Sequence, residues 1–158
     1  MIVWCVLIVT ISGLVGYHFS QKLTKKATFY KNLVNFCEKL ELNVTFLQNT
    51  IPEILSQEIN NSSGETKPFL ESVRNYYSRK NQEILLPYYL KENEKNEIVK
   101  FIYSVGKTNI ESEQKQILAF KQTMKVCQNL AEENKNKNGS LIFKLATFIG
   151  LGLAIIIY

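Results

Sequence analysis

The chain has 158 residues, 46% of them hydrophobic, and a formal net charge of +5. This length provides for one modest domain, and a single histidine argues against a histidine-based metal cluster or a Ser-His-Asp triad built within the chain. The basic residues form no stripe interleaved with aromatic residues, so a nucleic-acid partner is not predicted.

The first predicted element is a transmembrane anchor formed by residues 1–20. Residues 1–17 read MIVWCVLIVTISGLVGY and carry no charge, and about 17 apolar residues are the lower limit for a helix that crosses a bilayer. A cleaved signal peptide is the alternative, because Ser12, Gly13 and Gly16 provide small residues near the end of the apolar run. Such a peptide carries positive charge before its apolar core. Since no basic residue lies there, the sequence favours a retained anchor.

Basic residues flank the inner side of both apolar ends and predict the orientation in a membrane. Seven lysines lie there: Lys22, Lys25, Lys26, Lys31, Lys135, Lys137 and Lys144. Because basic flanks stay on the cytoplasmic side, we expect an outward N-terminus, a cytoplasmic middle segment over residues 21–138 and an outward C-terminus. Anionic lipid headgroups would attract these flanks. Cys37 and Cys127 would be free thiols in a reducing compartment.

The middle segment is predicted to be all-helical, a bundle between the two membrane helices. Its apolar residues recur at three- and four-residue spacing, without sustained two-residue alternation. The first stripe predicts a helix over residues 24–48, continuous with the anchor or broken near Ser20, and its apolar face contains Leu33, Phe36, Cys37, Leu40, Val44 and Leu47. Thr50 and Pro52 mark the start of a short helix, because proline is tolerated in a first helical turn.

Two further breaks and four tyrosines lie between residues 60 and 92. Residues 60–64 read NNSSG and predict a loop, Pro68 opens a helix, and Pro87 interrupts an apolar run before a helix over residues 92–105. The tyrosines form two pairs of sequence neighbours: Tyr76 with Tyr77, and Tyr88 with Tyr89. Two neighbours cannot both face one core, so we expect one of each pair to be exposed as a candidate partner surface.

The stretch FIYSVGKTNIE, residues 101–111, contains Gly106-Lys107-Thr108, the last three residues of a phosphate-binding loop. A complete loop has its first glycine five positions earlier, after a buried strand, but residue 101 is Phe and a helical pattern precedes the turn. Gly106 is therefore predicted to end a helix in the left-handed conformation. Thr108 and Glu111 have the spacing of a capping box, and Asn109 can also cap. We predict a helical hairpin turn, with a nucleotide site at Lys107 as the alternative.

The last predicted elements are a long helix and a second membrane span. The helix is the most regular in the sequence and carries Ile117, Phe120, Met124, Cys127 and Ala131 on one face. Residues 145–158 read LATFIGLGLAIIIY without a charge, and a span over residues 139–158 includes Lys144 near its end, where a lysine can reach the interface. The sequence offers no catalytic, cofactor-binding or metal-ligating set, so an enzyme is not predicted.

Three segments carry a family resemblance through their order and spacing. They read LNVTFLQNTIPEIL (residues 42–55), EIVKFIYSVGKTNIESEQKQI (97–117) and KLATFIGLGLAIII (144–157). In this order they resemble the stage III sporulation protein AB family of endospore-forming bacteria. The family usually has Asp and Gln where this chain has Asn109 and Glu113.

The resemblance implies a non-enzymatic scaffold in the channel between mother cell and forespore, with its central domain in the mother-cell cytoplasm. The family is similar to the inner-membrane platform protein of type II secretion and type IV pilus machines, whose helical domain is thought to engage an assembly ATPase. The implied partners are the lipid bilayer, a sporulation assembly ATPase and other channel components, with a homo-oligomer also open. A small pore-forming protein of the holin kind is a further alternative, which the long middle segment disfavours.

Overall fold

The computed structural model describes residues 2–44, 50–62, 64, 66–78 and 83–157, and these residues form five helices and no strand. The helices are α1 (Ile2–Leu42), α2 (Ile51–Asn61), α3 (Thr66–Tyr77), α4 (Glu92–Ser104) and α5 (Ile110–Ile157). The predicted all-α class is confirmed for this part of the chain. α1 continues without a break at Ser20, and the polar run over residues 132–140 is part of α5.

The chain divides into two compact units. Unit 1 contains Met1–Ala27 and Asn129–Tyr158, and unit 2 is Thr28–Gln128. Unit 1 therefore joins the two apolar ends of the chain, whereas unit 2 holds α2, α3 and α4 with the adjoining parts of α1 and α5. The predicted segments 1–20, 21–138 and 139–158 are defined by hydrophobicity, whereas these units are defined by packing.

The core of unit 2 is built from the apolar stripes of all five helices. The predicted stripe of α1 is buried at Leu33, Phe36, Cys37 and Leu40, while Leu47 lies outside the described residues. The core residues of the other helices are Ile54, Leu55, Ile59, Phe69, Leu70, Val73, Ile98, Phe101, Ile102, Ile117, Phe120 and Met124. Burial of each such side chain contributes roughly 1.5–3 kcal/mol of transfer free energy, which holds these short helices against α1 and α5.

Polar contacts fix how α3 packs in unit 2. The Asn32 side-chain amide on α1 donates a 3.0 Å hydrogen bond to the Thr66 hydroxyl at the start of α3. The Ser72 hydroxyl accepts a 3.0 Å hydrogen bond from the backbone N–H of Leu85. This second bond holds the non-helical segment over residues 83–91, where the predicted break at Pro87 is confirmed. α3 begins two residues before Pro68, so this proline lies in the first turn of the helix. Proline is tolerated there because the first N–H groups of a helix have no intrahelical partner.

Candidate protein-interaction surface

The turn between α4 and α5 lies against the start of α2. Gly106 has φ +80°, and a Cβ atom placed there would be 3.2 Å from Cδ1 of Ile51. Two features that the sequence places more than fifty residues apart therefore meet at one end of unit 2. We call this region the turn surface and define it as Thr50, Ile51 and residues 106–110. Except for the half-buried Ile51, all of these residues are exposed, and Ile110 is 64% exposed.

The turn is held by Asn109 and Glu113. The Asn109 side-chain oxygen accepts a 3.0 Å hydrogen bond from the backbone N–H of Ser112, which makes Asn109 the N-cap of α5. A Glu113 carboxylate oxygen accepts a 3.0 Å hydrogen bond from the backbone N–H of Gly106. Both ends of the turn are therefore closed by side chains that belong to α5 or cap it.

The predicted capping box of Thr108 and Glu111 is wrong. α5 begins at Ile110, one residue later than that box requires, because Asn109 provides the capping oxygen. Glu111 is directed along the helix instead and pairs with Lys115 at 2.8 Å, four residues on. Thr108 itself is exposed. The sequence contains two overlapping capping patterns, one that starts at Thr108 and one that starts at Asn109, and the structure uses the second.

Thr50 and Pro52 occupy the start of α2, where the prediction placed them. Thr50 is the N-cap and Pro52 lies in the first turn. The backbone N–H of Thr50 donates a 2.9 Å hydrogen bond to a Glu53 carboxylate oxygen, and this bond lowers the pKa of the Glu53 carboxyl below its usual range. The start of α2 is therefore fixed in place beside the turn.

The surroundings of Lys107 differ from those of a phosphate-binding loop. α4 precedes the turn in place of a buried strand. Residue 101, where the first glycine of such a loop would stand, is a buried Phe whose ring stacks on Phe120 with a centroid distance of 3.8 Å. Lys107 is exposed on the turn surface. The local geometry is that of a helical hairpin.

The four predicted tyrosines fall into two separate groups. In the first, Tyr76 contacts Tyr77 at a ring distance of 5.3 Å and Tyr103 of α4 at 5.0 Å. The Tyr77 hydroxyl donates a 2.5 Å hydrogen bond to the Ile102 carbonyl, and burial raises the pKa of Tyr77. Tyr76 and Tyr77 are both half-buried, so neither is the fully exposed member that we expected of this pair.

The second group follows the expectation for neighbouring tyrosines. Tyr88 is 61% exposed, whereas Tyr89 is 7% exposed and its ring lies 6.5 Å from that of Phe29. The structure adds Tyr103, which sequence reasoning missed and which is exposed beside Tyr76. The apolar spacing of α4 places Tyr103 outside the core. Its contact with Tyr76 on α3 depends on tertiary packing, which a local sequence pattern does not show.

Within unit 1, α1 and α5 pack antiparallel through small residues. A Cβ atom on Gly16 would lie 2.6 Å from Cβ of Ala146, and one on Gly150 would lie 2.7 Å from Cβ of Ser12. The Ser12 hydroxyl also donates a hydrogen bond to the Ala146 carbonyl. Small residues allow two helices to approach closely, which is how helices pack in a bilayer.

The outward faces of these two helices are strongly apolar. Exposed large hydrophobic residues include Val6, Leu7, Ile11, Leu14, Val15, Phe148, Ile149, Leu151, Leu153, Ile155 and Ile156. By length and composition, α5 over Ile110–Ile156 is the one helix among the described residues that meets the requirements for crossing a membrane, and only 17% of its most apolar stretch is buried. The N-terminal span stays a prediction.

Comparison with known proteins bears on the whole chain. A family model described as stage III sporulation protein AB matches residues 1–158. The chain belongs to the stage III sporulation protein AB family. Membership assigns it a role in spore formation, and the family is not known as an enzyme family. No curated protein and no solved structure matches the chain significantly.

The resemblance led us to expect Asp and Gln at the positions of Asn109 and Glu113, and both positions lie in the turn of this member of the stage III sporulation protein AB family. Asn109 accepts a backbone hydrogen bond as an Asp would, and Glu113 provides an acceptor oxygen as a Gln would. The turn therefore has side-chain acceptors for its backbone N–H groups with Asn109 and Glu113 at these positions.

The described residues of this stage III sporulation protein AB member contain no group of three His, Cys, Asp or Glu placed to hold a metal ion. Cys37 is buried in the core, and desolvation raises the pKa of its thiol to about 12. A thiol with so high a pKa is a poor nucleophile, because the reactive species is the thiolate. Cys37 therefore acts as a small core residue.

Proposed function

We propose that this chain is a non-enzymatic membrane scaffold of the mother cell-forespore channel that recruits an assembly ATPase through unit 2. Membership of the stage III sporulation protein AB family gives the spore-formation context. The observation that carries the proposal is the turn surface, because it combines exposed residues with a backbone fixed by side-chain hydrogen bonds. A surface that is already rigid loses little conformational entropy when a partner binds.

The membrane part of the proposal assigns two spans to unit 1, with unit 2 in the mother-cell cytoplasm. The exposed apolar faces of α1 and α5 need hydrocarbon around them. The lysines between the apolar ends and unit 2 favour the cytoplasmic side. A reporter that is active only outside the cytoplasm, fused after Tyr158, should be active; activity only of a cytoplasmic reporter at that position would contradict this topology.

The partner part of the proposal places the ATPase on the turn surface and the adjoining tyrosines. Ile110 offers exposed apolar area and Lys107 an exposed cation. Tyr103 lies three residues before the turn and adds an exposed aromatic ring, a residue type enriched at binding hot spots. Tyr88 is proposed as a separate contact for other channel components. We propose that the partner holds the nucleotide, as a resemblance to secretion platform proteins would imply.

The proposal is tested by co-purifying the full chain with the sporulation ATPase from sporulating cells. Ile110→Asp should lower recovery of the ATPase about tenfold, the effect of losing a binding hot spot. Val126→Asp is the matched control, because Val126 lies on the same helix and is 58% exposed. Equal recovery with both variants would contradict a role for the turn surface. Lys107→Ala should leave nucleotide binding of the complex intact, since the nucleotide site belongs to the ATPase.

A further inference from the structure

The antiparallel packing in unit 1 brings two distant basic segments to one level. Ser12 lies beside Gly150, Gly16 beside Ala146, and a Cβ atom on Gly139 would be 3.4 Å from the Ser20 hydroxyl. The two helices are therefore antiparallel, and residues later in α1 lie beside residues earlier in α5. Unit 1 includes α1 as far as Ala27 and α5 from Asn129 onward. Continuing this register by one to two turns brings the lysines after Ser20 beside those before Gly139.

Six lysines give unit 1 most of the net positive charge of the protein. We call them the lysine collar: Lys22, Lys25, Lys26, Lys135, Lys137 and Lys144. Unit 1 contains two acidic residues, Glu132 and Glu133, so its net charge is +4 of the total of +5. Glu133 pairs with Lys137 at 2.5 Å, but the Lys137 side chain is still 71% exposed. Lys25, Lys135 and Lys144 are also exposed.

Exposed aromatic residues lie on the apolar side of the lysine collar. Tyr17 and Phe19 precede Lys22 on α1, and Phe143 follows Lys135 and Lys137 on α5, where it is the sequence neighbour of Lys144. Beyond them both helices expose aliphatic side chains. Aromatic rings between lysines and an apolar surface are the arrangement found where a protein meets the headgroup layer of a membrane.

We infer that the lysine collar is a binding site for anionic phospholipid headgroups, formed jointly by α1 and α5. This inference rests on the proposed insertion of unit 1 in a membrane. A lipid phosphate can meet the lysine ammonium groups while its acyl chains cover the apolar face beyond Tyr17 and Phe19. A free phosphate ion would use only the charged part of this surface. Because charged, aromatic and aliphatic side chains follow one another along this surface, a lipid matches it better than a free phosphate ion.

The test compares lipid association with the full chain in phosphatidylcholine nanodiscs. Spin-labelled phosphatidylglycerol and spin-labelled phosphatidylcholine report the preference for the anionic headgroup. Each lysine near an anionic surface contributes about 1 kcal/mol, which is about fivefold in affinity. Lys22→Gln with Lys25→Gln and Lys26→Gln on α1 should lower the preference at least about fivefold. Lys135→Gln with Lys137→Gln on α5 should have a similar effect.

The matched control removes three lysines of unit 2: Lys67→Gln, Lys100→Gln and Lys125→Gln. These are exposed as well, so the control changes the net charge as much as the α1 variant does, and the preference should stay unchanged. A soluble glycerol phosphate added at equal concentration should not displace the lipid. An equal loss in the control, a loss with only one of the two helix variants, or displacement by the soluble phosphate would overturn the inference.

Alkaline carbonate extraction of the same variants separates this inference from the proposed anchor. If the chain stays in the membrane but shows no preference for phosphatidylglycerol, the lipid site is refuted and the anchor stands. If carbonate releases the unaltered chain, the anchor is refuted and the lipid site with it. Circular dichroism of each variant checks that the helices are intact.

Discussion

The Lys39 ammonium group on α1 pairs with the Glu58 carboxylate on α2, whose side chain is only 7% exposed. Lys39 also accepts, through its carbonyl, a 2.8 Å hydrogen bond from the Asn43 side chain. A buried carboxylate needs such a partner, because removing one member of a buried pair leaves an uncompensated charge. This ion pair therefore joins the short helix α2 to α1 in unit 2.

Lys39→Met should destabilise unit 2 by about 1–2 kcal/mol, because it leaves the Glu58 carboxylate without its cation, and the cost is below that of a fully buried pair since the Lys39 side chain is 40% exposed. The double variant Lys39→Met with Glu58→Leu should recover most of that loss, since neither charge remains. Urea unfolding of the full chain in detergent, followed by helical circular dichroism, measures both changes. A double variant that is as unstable as Lys39→Met would show that packing, and not charge, sets the cost.

Gly106→Ala should destabilise the protein by about 1–2 kcal/mol, because an L-residue is strained at φ +80°. Its new methyl group would also press on Cδ1 of Ile51. Gly64→Ala is the control for the strain alone, since Gly64 has φ +65° and nothing lies near its Cβ position. Thermal unfolding should show a larger loss for Gly106→Ala, and adding Ile51→Val should bring the two losses together. If Gly106→Ala and Gly64→Ala lower the stability equally while Ile51 is intact, the contact with Ile51 is contradicted.

Asn109→Ala should cost about 1 kcal/mol of stability, because it removes the side-chain oxygen that caps α5. Asn109→Asp should be tolerated, since Asp caps equally well. Thr108→Ala is the matched control and should change the free energy of unfolding little. The opposite ranking of Asn109→Ala and Thr108→Ala would restore Thr108 as the capping residue.

Stability should fall as the pH rises above about 9, because of Cys37. Burial raises the pKa of this thiol from its ordinary value of 9.0 to about 12, so above pH 9 the unfolded state loses a proton that the folded state keeps. The stabilisation of the folded state by the protonated Cys37 thiol is therefore complete below pH 9 and is lost progressively toward pH 12. Between about pH 8 and about pH 10 the loss should be about 1 kcal/mol. Cys37→Ala should flatten this dependence and Cys127→Ala should not; an unchanged slope in Cys37→Ala would contradict the assignment.

Much of the helical content could be predicted from apolar spacing. Leu33, Phe36 and Leu40 are buried as their spacing indicates, because helical period and burial are linked directly. Pro87 lies in a non-helical segment before α4 as expected, since proline lacks the N–H group that a helix interior requires. These features depend on neighbours within a few residues of one another.

Features that depend on tertiary packing could not be predicted in the same way. The contact between Ile51 and Gly106 and the ring contact between Tyr76 and Tyr103 join different helices. The choice of Asn109 over Thr108 as the cap also depends on Glu113, which binds the Gly106 N–H. Local patterns presented both capping residues, and only the closed turn selects between them.

The hydrogen bond from Ser12 to Ala146 has a consequence for the order of folding. It joins residues 134 positions apart, whereas the bond from Tyr77 to Ile102 spans 25. Closing the longer loop in an unfolded chain costs roughly 1.5 kcal/mol more, because loop entropy grows with the logarithm of length. We expect the α1–α5 pairing of unit 1 to form after the hairpins of unit 2. A chain that stops before Ala146 would retain the close-approach face of α1 with nothing to pack against it.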